Sequence, residues 1–582
     1  MRQHGRGKKH FPLSFPGTDK PSCQFLQCFW YNFIGFSFIE TFIHIAMKLF
    51  IDNTPEQYKH KKTTGRIVLI YAIAVIFMAT LAIFSFGSAM KGFDHDENVY
   101  CSAGALIASG KVMYRDFAYL QMPLLPVIYA FLFTIFKTTN YLLAGRVFSV
   151  TCSILAAFLV LVAFLRVFHH QRIYGLVMGV SAAILYSFNP VIQCAGGFAW
   201  NYSFPILCII LAYLILTGLD FSKSFKARWL FLAGFLTGAA VFTRLAFAFA
   251  GLIVFIVLAF FTPVPVSQGN RFKKLLLPFF AGAAVPSALP IYYFFRAPGS
   301  FIFDTIRYFI ITGGQNWMPG WKEAISFKEK LLVAVNVLTS PSYLASLILF
   351  LLSFILALSI CRGRFWKNKP LVISISLAAS LFIAAFVITP VQVQYFAAPV
   401  PFIFMAIIYA VYGSISAVNR ESIKKMILCI SAGLFILSAA QSLYNKETFE
   451  NIALAFSKEN WIPTEVYAIS REISKIVGPD ETILTLAPIF ALEGGERIYP
   501  ELSTGPFIFR YSRFLSDDQR RIAVSTGPDS LPPLLQKKPA GAVLAGFENI
   551  FLERPLIEYA ESRGWQKRVI GGLTLYTPAN PN

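Results

Sequence analysis

The chain has 582 residues, is 56% hydrophobic and only 14% charged, and has a mean hydropathy of +0.60. That profile excludes an ordinary water-soluble domain and reads as a polytopic α-helical membrane protein. A formal net charge of +21 suggests nucleic acid, but most of the excess sits in short loops between apolar segments, which excludes that partner and marks the cytoplasmic side of a bilayer.

Residues 1–66 are basic and hold one apolar run, from Phe25 to Phe50, with basic residues on both sides. No small-residue cleavage site follows it, so it does not read as a secretory signal. Two readings stand: an interfacial segment, or an over-extended start upstream of Met47.

Apolar runs long enough to span, or nearly so, begin near Ile67, Tyr141, Ile173, Tyr202, Trp229, Ala246, Leu275, Leu338, Leu371, Ala397 and Met426. Six basic clusters orient them: Lys59 to Arg66, Arg166 with Arg172, Lys223 to Arg228, Arg271 to Lys274, Arg362 to Lys369, and Arg420 to Lys425. These hold 19 basic residues and only Asp220 and Glu421 as acids. The alternation predicts about eleven spans across a transmembrane domain at 67–444, with the C-terminus outside. Residues 122–136 are apolar but short, and a crossing there would invert every later basic loop. They are expected to form a re-entrant or interfacial helix, with Pro123 and Pro126 near its start.

From residue 445 onward the chain has 15 basic and 17 acidic residues and no spanning run. Pro463 to Val477 predicts an amphipathic helix. Thr482–Ala487, Ala540–Phe547 and Leu573–Thr577 predict short buried strands, with a helix at 554–564. A small extracytoplasmic α/β domain at 445–582 is the expectation. The eight cysteines are scattered and give neither metal spacing nor a disulfide framework.

Between Ile67 and Tyr444 there are nine acidic residues, and three of them, Asp94, Asp96 and Glu97, fall within four positions. Carboxylates near lipid are expensive and tend to be kept where they bind or react. Asp96 to Gly110 predicts a helix with Asp96 as N-cap and Gly110 closing it, so its dipole would keep Asp96 and Glu97 ionised. An ionised Asp can take a proton from an attacking hydroxyl. Asp94-His95-Asp96 is also a DxD, a spacing by which two carboxylates clamp a divalent metal beside a phosphate. Plain helix capping explains the same residues equally well.

Further along this loop, at 90–121, come Tyr114, Arg115, Asp116, Tyr119 and Gln121, then Met122-Pro123-Leu124 and Gly145-Arg146. This order resembles the first outer loop of GT-C glycosyltransferases. Within them it is most similar to the family 39-like branch of protein O-mannosyltransferases and aminoarabinose–lipid A transferases. The resemblance implies a membrane enzyme, in a bacterial inner membrane, that moves a sugar from a polyprenyl-phosphate carrier to a glycan, lipid or protein hydroxyl at the outer face. It implies Asp96 as the base, with Glu97 and Asp94 beside it. Arg115, Arg244 and Arg146, in that order, and Tyr114 are the candidates for the carrier phosphate. It requires no cofactor, while the DxD leaves room for a metal at Asp94 and Asp96. One departure is that Gln121-Met122 stands where similar enzymes carry Lys or His, which removes a charged contact.

Asp116, Gln121, Trp200, Asn201, Asp304, Gln394 and Tyr395 are the expected substrate-lining residues. Asn189 to Asn201 reads as an uncharged outer loop, and Arg296 to Lys330 as a longer one rich in aromatics and amides. Three other classes share parts of this pattern: a lipid-linked glycan polymerase or ligase, a transporter or flippase, and a non-catalytic scaffold. The carboxylates cluster at one face and no repeat is visible, which favours an enzyme over a transporter.

Overall fold

The computed structural model describes residues 61–219, 221, 226–262, 272–316, 324–443, 446–478 and 480–579. The N-terminal segment before 61, the cluster residues Lys59, Lys223 and Arg271, and Trp317, Trp321 and Glu323 lie outside them.

All eleven predicted apolar runs are helical. Tyr141–Val167, Phe272–Arg296, Pro341–Lys367, Lys369–Val387, Val393–Ala417 and Glu421–Leu443 are long and apolar enough to cross a membrane, and the bent pair Arg172–Ser187 and Pro190–Gly197 (64°) makes up to seven. Ser203–Gly218 and Ala227–Thr243 are shorter. At 1.5 Å per residue, helices of this length reach ~25 Å, against a hydrocarbon core of ~30 Å. By length and composition the count among the described residues therefore stops below the eleven expected. Leu124–Ile135 forms the predicted short helix, with Pro123 at its start.

The most buried of the long helices are Tyr141–Val167 and Val393–Ala417, with 67% and 83% of their apolar windows inside the bundle. Small residues set the closest approach between Ala227–Thr243 and Phe272–Arg296. A Cβ on Gly234 would stand 1.9 Å from the Phe279 carbonyl oxygen, and one on Gly282 1.9 Å from that of Phe231. Gly234 and Gly238 are four apart, the spacing by which membrane helices let their backbones meet.

After Leu443 the chain builds five strands: β1 (Thr482–Leu484), β2 (Arg497–Ile498), β3 (Ala542–Ala545), β4 (Gln566–Ile570) and β5 (Leu573–Thr577). Their order is β2-β1-β3-β5-β4, with β1 parallel to β2 and β3, and β5 antiparallel to β3 and β4. Two of the expected strands are present in shortened form and the third, Leu573–Thr577, has the expected bounds, while the expected helices are Ile462–Val477 and Ile550–Ser562. Strands β2 and β4 carry no sequence signal: β2 is two residues long, and in β4 only Ile570 is buried. This part is not a tethered appendage. Its apolar core, including Leu484, Tyr499 and Phe509, is continuous with Ala118, Leu120, Phe303 and Tyr308.

Candidate active site

The helix of the first loop runs His95–Ala108 and starts two residues earlier than predicted. Asp94, not Asp96, is its N-cap: Asp94 Oδ1 accepts from the Asp96 amide at 2.9 Å. The carboxylate of Glu97 reaches back to the Asp94 amide at 3.2 Å, which completes a capping box. Capping therefore accounts for Asp94. It leaves the Asp96 side chain, 27% exposed, without that duty. Gly110 ends the run with φ +90°, a left-handed conformation that glycine adopts without strain.

Glu97 is expected among the reactive acids and Arg146 at the carrier phosphate; in the structure these two groups occupy each other. Both side chains are fully buried. Arg146 Nε donates to Glu97 Oε1 at 2.8 Å and Nη2 to Oε2 at 2.5 Å. Arg146 Nη1 also donates to the carbonyls of Ala89 and Lys91, and Nη2 to that of Gly92. A guanidinium has five N–H donors, and all are used. The Ala199 amide at 2.8 Å and the Asp94 amide fill the two remaining carboxylate positions. Burial pushes the Glu97 carboxyl up, opposed by Arg146 and the Ala199 amide. The pair is a closed strut that fixes the loop before the helix to the Tyr141–Val167 helix.

Arg115 and Tyr114 are also committed locally. Arg115 is half-exposed and pairs with Asp116 through Nε–Oδ1 at 2.8 Å and Nη2–Oδ2 at 2.9 Å. The Arg115 guanidinium holds the Asp116 carboxyl below its usual range, and Asp116 also takes the Val112 amide. Tyr114 is fully buried with φ +65°, and its hydroxyl donates to the Gln121 carbonyl at 2.5 Å. It pins the returning arm of the loop. Neither residue lines the cavity described next.

Arg244, second in the predicted order, ends the Ala227–Thr243 helix and is only 7% exposed. Its Nη1 donates to Asn201 Oδ1 at 3.0 Å, and its guanidinium carbon lies 4.2 Å from the Tyr202 ring centroid and 4.9 Å from that of Tyr395. Asn201 Nδ2 in turn reaches Gln121 Oε1 at 3.5 Å. Four expected residues, Gln121, Asn201, Arg244 and Tyr395, are thus brought into one line. Arg244, Tyr202 and Tyr395 form the polar end of a cavity whose other walls are apolar: Phe247, Leu381, Ala384, Ala385 and Ile388 among them. Tyr100, on the first-loop helix, lies in electrostatic range of Asp96, Arg244 and Tyr395 together, so the acid and the cation share a neighbourhood.

The other expected residues sit around this line. Trp200 is buried and stacks on Phe198 at 4.7 Å, and its indole N–H has no partner among the described residues. Asn189 to Asn201, expected as a loop, contains the helix Pro190–Gly197, with Asn189 as its cap. Gln394 is half-buried on the short turn with which the Val393–Ala417 helix begins. Asp304 is fully buried and accepts from the Tyr119 amide at 3.0 Å, while its Oδ1 has no partner among the described residues. Burial pushes its carboxyl well above the usual range, opposed by the Tyr119 amide that it holds in place. Ligand atoms of Asp94, His95 and Asp96 lie within 4.8 Å of one another, a spacing that a divalent ion fits.

Sequence reasoning missed the contribution of the C-terminal part. Glu493 Oε1 accepts from the Leu142 amide at 2.8 Å, one turn before Arg146, and the Ile489 amide donates to Asn98 Oδ1 at 3.3 Å. Burial pushes the Glu493 carboxyl up to about 8. Glu548, pushed up by burial to about 7, lies near His95. These contacts join positions some 350 to 450 residues apart, and no local pattern signals them.

No protein-family model matches the chain, and no curated protein does. Solved structures do. ArnT from Cupriavidus metallidurans, solved with undecaprenyl phosphate bound, superposes with a TM-score of 0.55 at 14% identity, covering 89% of this chain and 99% of that one. Its apo form gives 0.54 at 13%, covering 89% and 98%. The chain shares the fold of ArnT. The oligosaccharyltransferase of Archaeoglobus fulgidus in its apo form is a weaker match, with a TM-score of 0.43 at 13% identity over 81% of this chain and 69% of that one. The likeness to ArnT extends through the C-terminal part as well as the helical bundle, since nearly the whole length of both chains is covered.

Proposed function

We propose that the chain is an integral-membrane glycosyltransferase that moves a sugar from a polyprenyl-phosphate carrier to an acceptor hydroxyl at the extracytoplasmic face. The observation that carries this reading is the cavity at Arg244: a buried cation between two tyrosine faces at one end, apolar helix walls at the other, and Asp96 nearby. The lining pairs a cation with apolar walls, the chemistry that an anionic headgroup on an apolar chain calls for. Undecaprenyl phosphate, the ligand bound to ArnT, has that chemistry.

In this mechanism Asp96 takes the proton of the acceptor hydroxyl as its oxygen attacks the anomeric carbon. The bond from that carbon to the carrier phosphate breaks, and the electron pair stays on the phosphate. Arg244 stabilises the charge that develops there in a water-poor site, where a fixed cation is worth more than in water. Asn201 and Gln121 orient the guanidinium. Glu97 and Arg146 hold the loop in place rather than touching substrate. The three groups at Asp94, His95 and Asp96 would hold a divalent ion, which would supply a further positive charge beside the reacting centre.

The test is binding of radiolabelled undecaprenyl phosphate to protein in nanodiscs. Arg244→Ala should weaken binding by about 100-fold, the size of a lost charge-assisted contact. Equal binding by wild type and variant would reject the reading.

A further inference from the structure

Tyr202 lines the cavity at Arg244 and stands at the N-terminal end of the Ser203–Gly218 helix. It is 4% exposed. The guanidinium of Arg244 lies over its ring, and the ring stacks on Tyr395 with centroids 6.0 Å apart and planes 27° apart. Its hydroxyl oxygen is buried and has no hydrogen-bond partner among the described residues. Leaving a buried hydroxyl unpaired is destabilising, because the group loses water and gains no partner in return. Tyr114 and Tyr213 avoid that cost, Tyr114 by donating to Gln121 and Tyr213 by meeting the Ser374 hydroxyl at 2.7 Å; the Tyr119 hydroxyl is also unpartnered among the described residues but does not line this cavity. The orphan sits beside the buried guanidinium that faces this cavity, at the N-terminal end of a 16-residue helix, where the backbone dipole also favours an anion.

We propose that Tyr202 is a second donor to the carrier phosphate and a catalytic residue of the transfer. This rests on the carrier reading above. The Tyr202 hydroxyl donates a hydrogen bond to a non-bridging phosphate oxygen while Arg244 pairs with the same group. During transfer the acceptor oxygen bonds the anomeric carbon, its proton passes to Asp96, and the carbon–oxygen bond to phosphate breaks with its electrons staying on that oxygen. Tyr202 keeps its proton throughout. Its hydrogen bond strengthens as charge grows on the leaving phosphate, so it acts on the transition state more than on the bound carrier.

Tyr202→Phe keeps the ring on which Arg244 rests and removes only the hydroxyl. Binding of undecaprenyl phosphate and of undecaprenol, its uncharged counterpart, would be measured in nanodiscs for wild type, Tyr202→Phe and Arg244→Ala. Tyr202→Phe should weaken the phosphate about tenfold, the value of one hydrogen bond to a charged group, and leave undecaprenol unchanged. In turnover of a polyprenyl-phosphate sugar it should lower kcat by more than it raises KM. Unchanged phosphate binding and kcat in Tyr202→Phe, with Arg244→Ala impaired, would overturn the role of Tyr202 alone. Unchanged binding in Arg244→Ala would overturn the carrier reading and this proposal with it.

Discussion

Replacing Arg146 by Met distinguishes a strut from a phosphate ligand. The substitution would leave Glu97 fully buried without its counter-charge and would strip three carbonyls, those of Ala89, Lys91 and Gly92, of their donor. Breaking a buried pair by removing one partner costs about 3–5 kcal/mol, mostly from the charge left behind. Adding Glu97→Gln to Arg146→Met removes that charge while keeping an acceptor for one of the Ala199 and Asp94 amides. The double variant should therefore be more stable than Arg146→Met, with a coupling of about 2 kcal/mol. Thermal unfolding of the four proteins in detergent, followed by the fraction that elutes as a single peak, reads the cycle. If Arg146→Met unfolded like wild type but lost undecaprenyl phosphate binding, the strut account would be wrong and Arg146 would belong to the carrier site.

Further predictions follow from the same contacts. The Glu493 carboxyl, raised by burial to about 8 from an ordinary 4.5, means that the folded state holds its proton longer than the unfolded one. Stability contributed by the protonated form is therefore present below pH 4.5 and is lost as pH rises toward 8, at about 1.4 kcal/mol for each pH unit between those limits. Glu493→Gln keeps the acceptor for Leu142 and cannot ionise, so its melting temperature should fall less than that of wild type between about pH 5 and pH 8.5. Asp304→Asn should unfold within about 1 kcal/mol of wild type, because it keeps an acceptor for the Tyr119 amide at a site where burial disfavours the charge, whereas Asp304→Leu should cost about 1–3 kcal/mol by orphaning that amide, both read by denaturant or thermal unfolding. Gly234→Val should separate the Ala227–Thr243 and Phe272–Arg296 helices, since even a Cβ there meets the Phe279 carbonyl, and should lower the yield of monodisperse protein.

Local chemistry made parts of this structure legible. The apolar runs foretell the helices, because a segment with no water to bond must satisfy its backbone internally. The acidic triplet and Gly110 locate the first-loop helix to within two residues at its start. Its cap is ambiguous in the sequence because DxD offers two aspartates, and only the backbone decides which one precedes the helix. Arg244 stands out because a cation between apolar segments needs partners, and Asn201, Tyr202 and Tyr395 are those partners. The sequence does not reveal that Arg115, expected at the carrier phosphate, pairs with its neighbour Asp116. The Glu97–Arg146 strut and the Glu493 and Asn98 contacts depend on segments 49 to 391 positions apart, which no periodicity encodes. Strand β4 escapes detection because four of its five residues face solvent.

The central claim is that Asp96 activates an acceptor against a polyprenyl-phosphate sugar held at Arg244. Wild type and Asp96→Asn, matched for melting temperature and undecaprenyl phosphate binding, would be given polyprenyl-phosphate sugars and an envelope extract as acceptor source, with and without EDTA. Release of free polyprenyl phosphate by wild type, falling at least about 100-fold in Asp96→Asn while binding holds, is the predicted result. Equal release by the two proteins would contradict Asp96 as the base, and no release by wild type that binds the carrier would contradict the transferase itself.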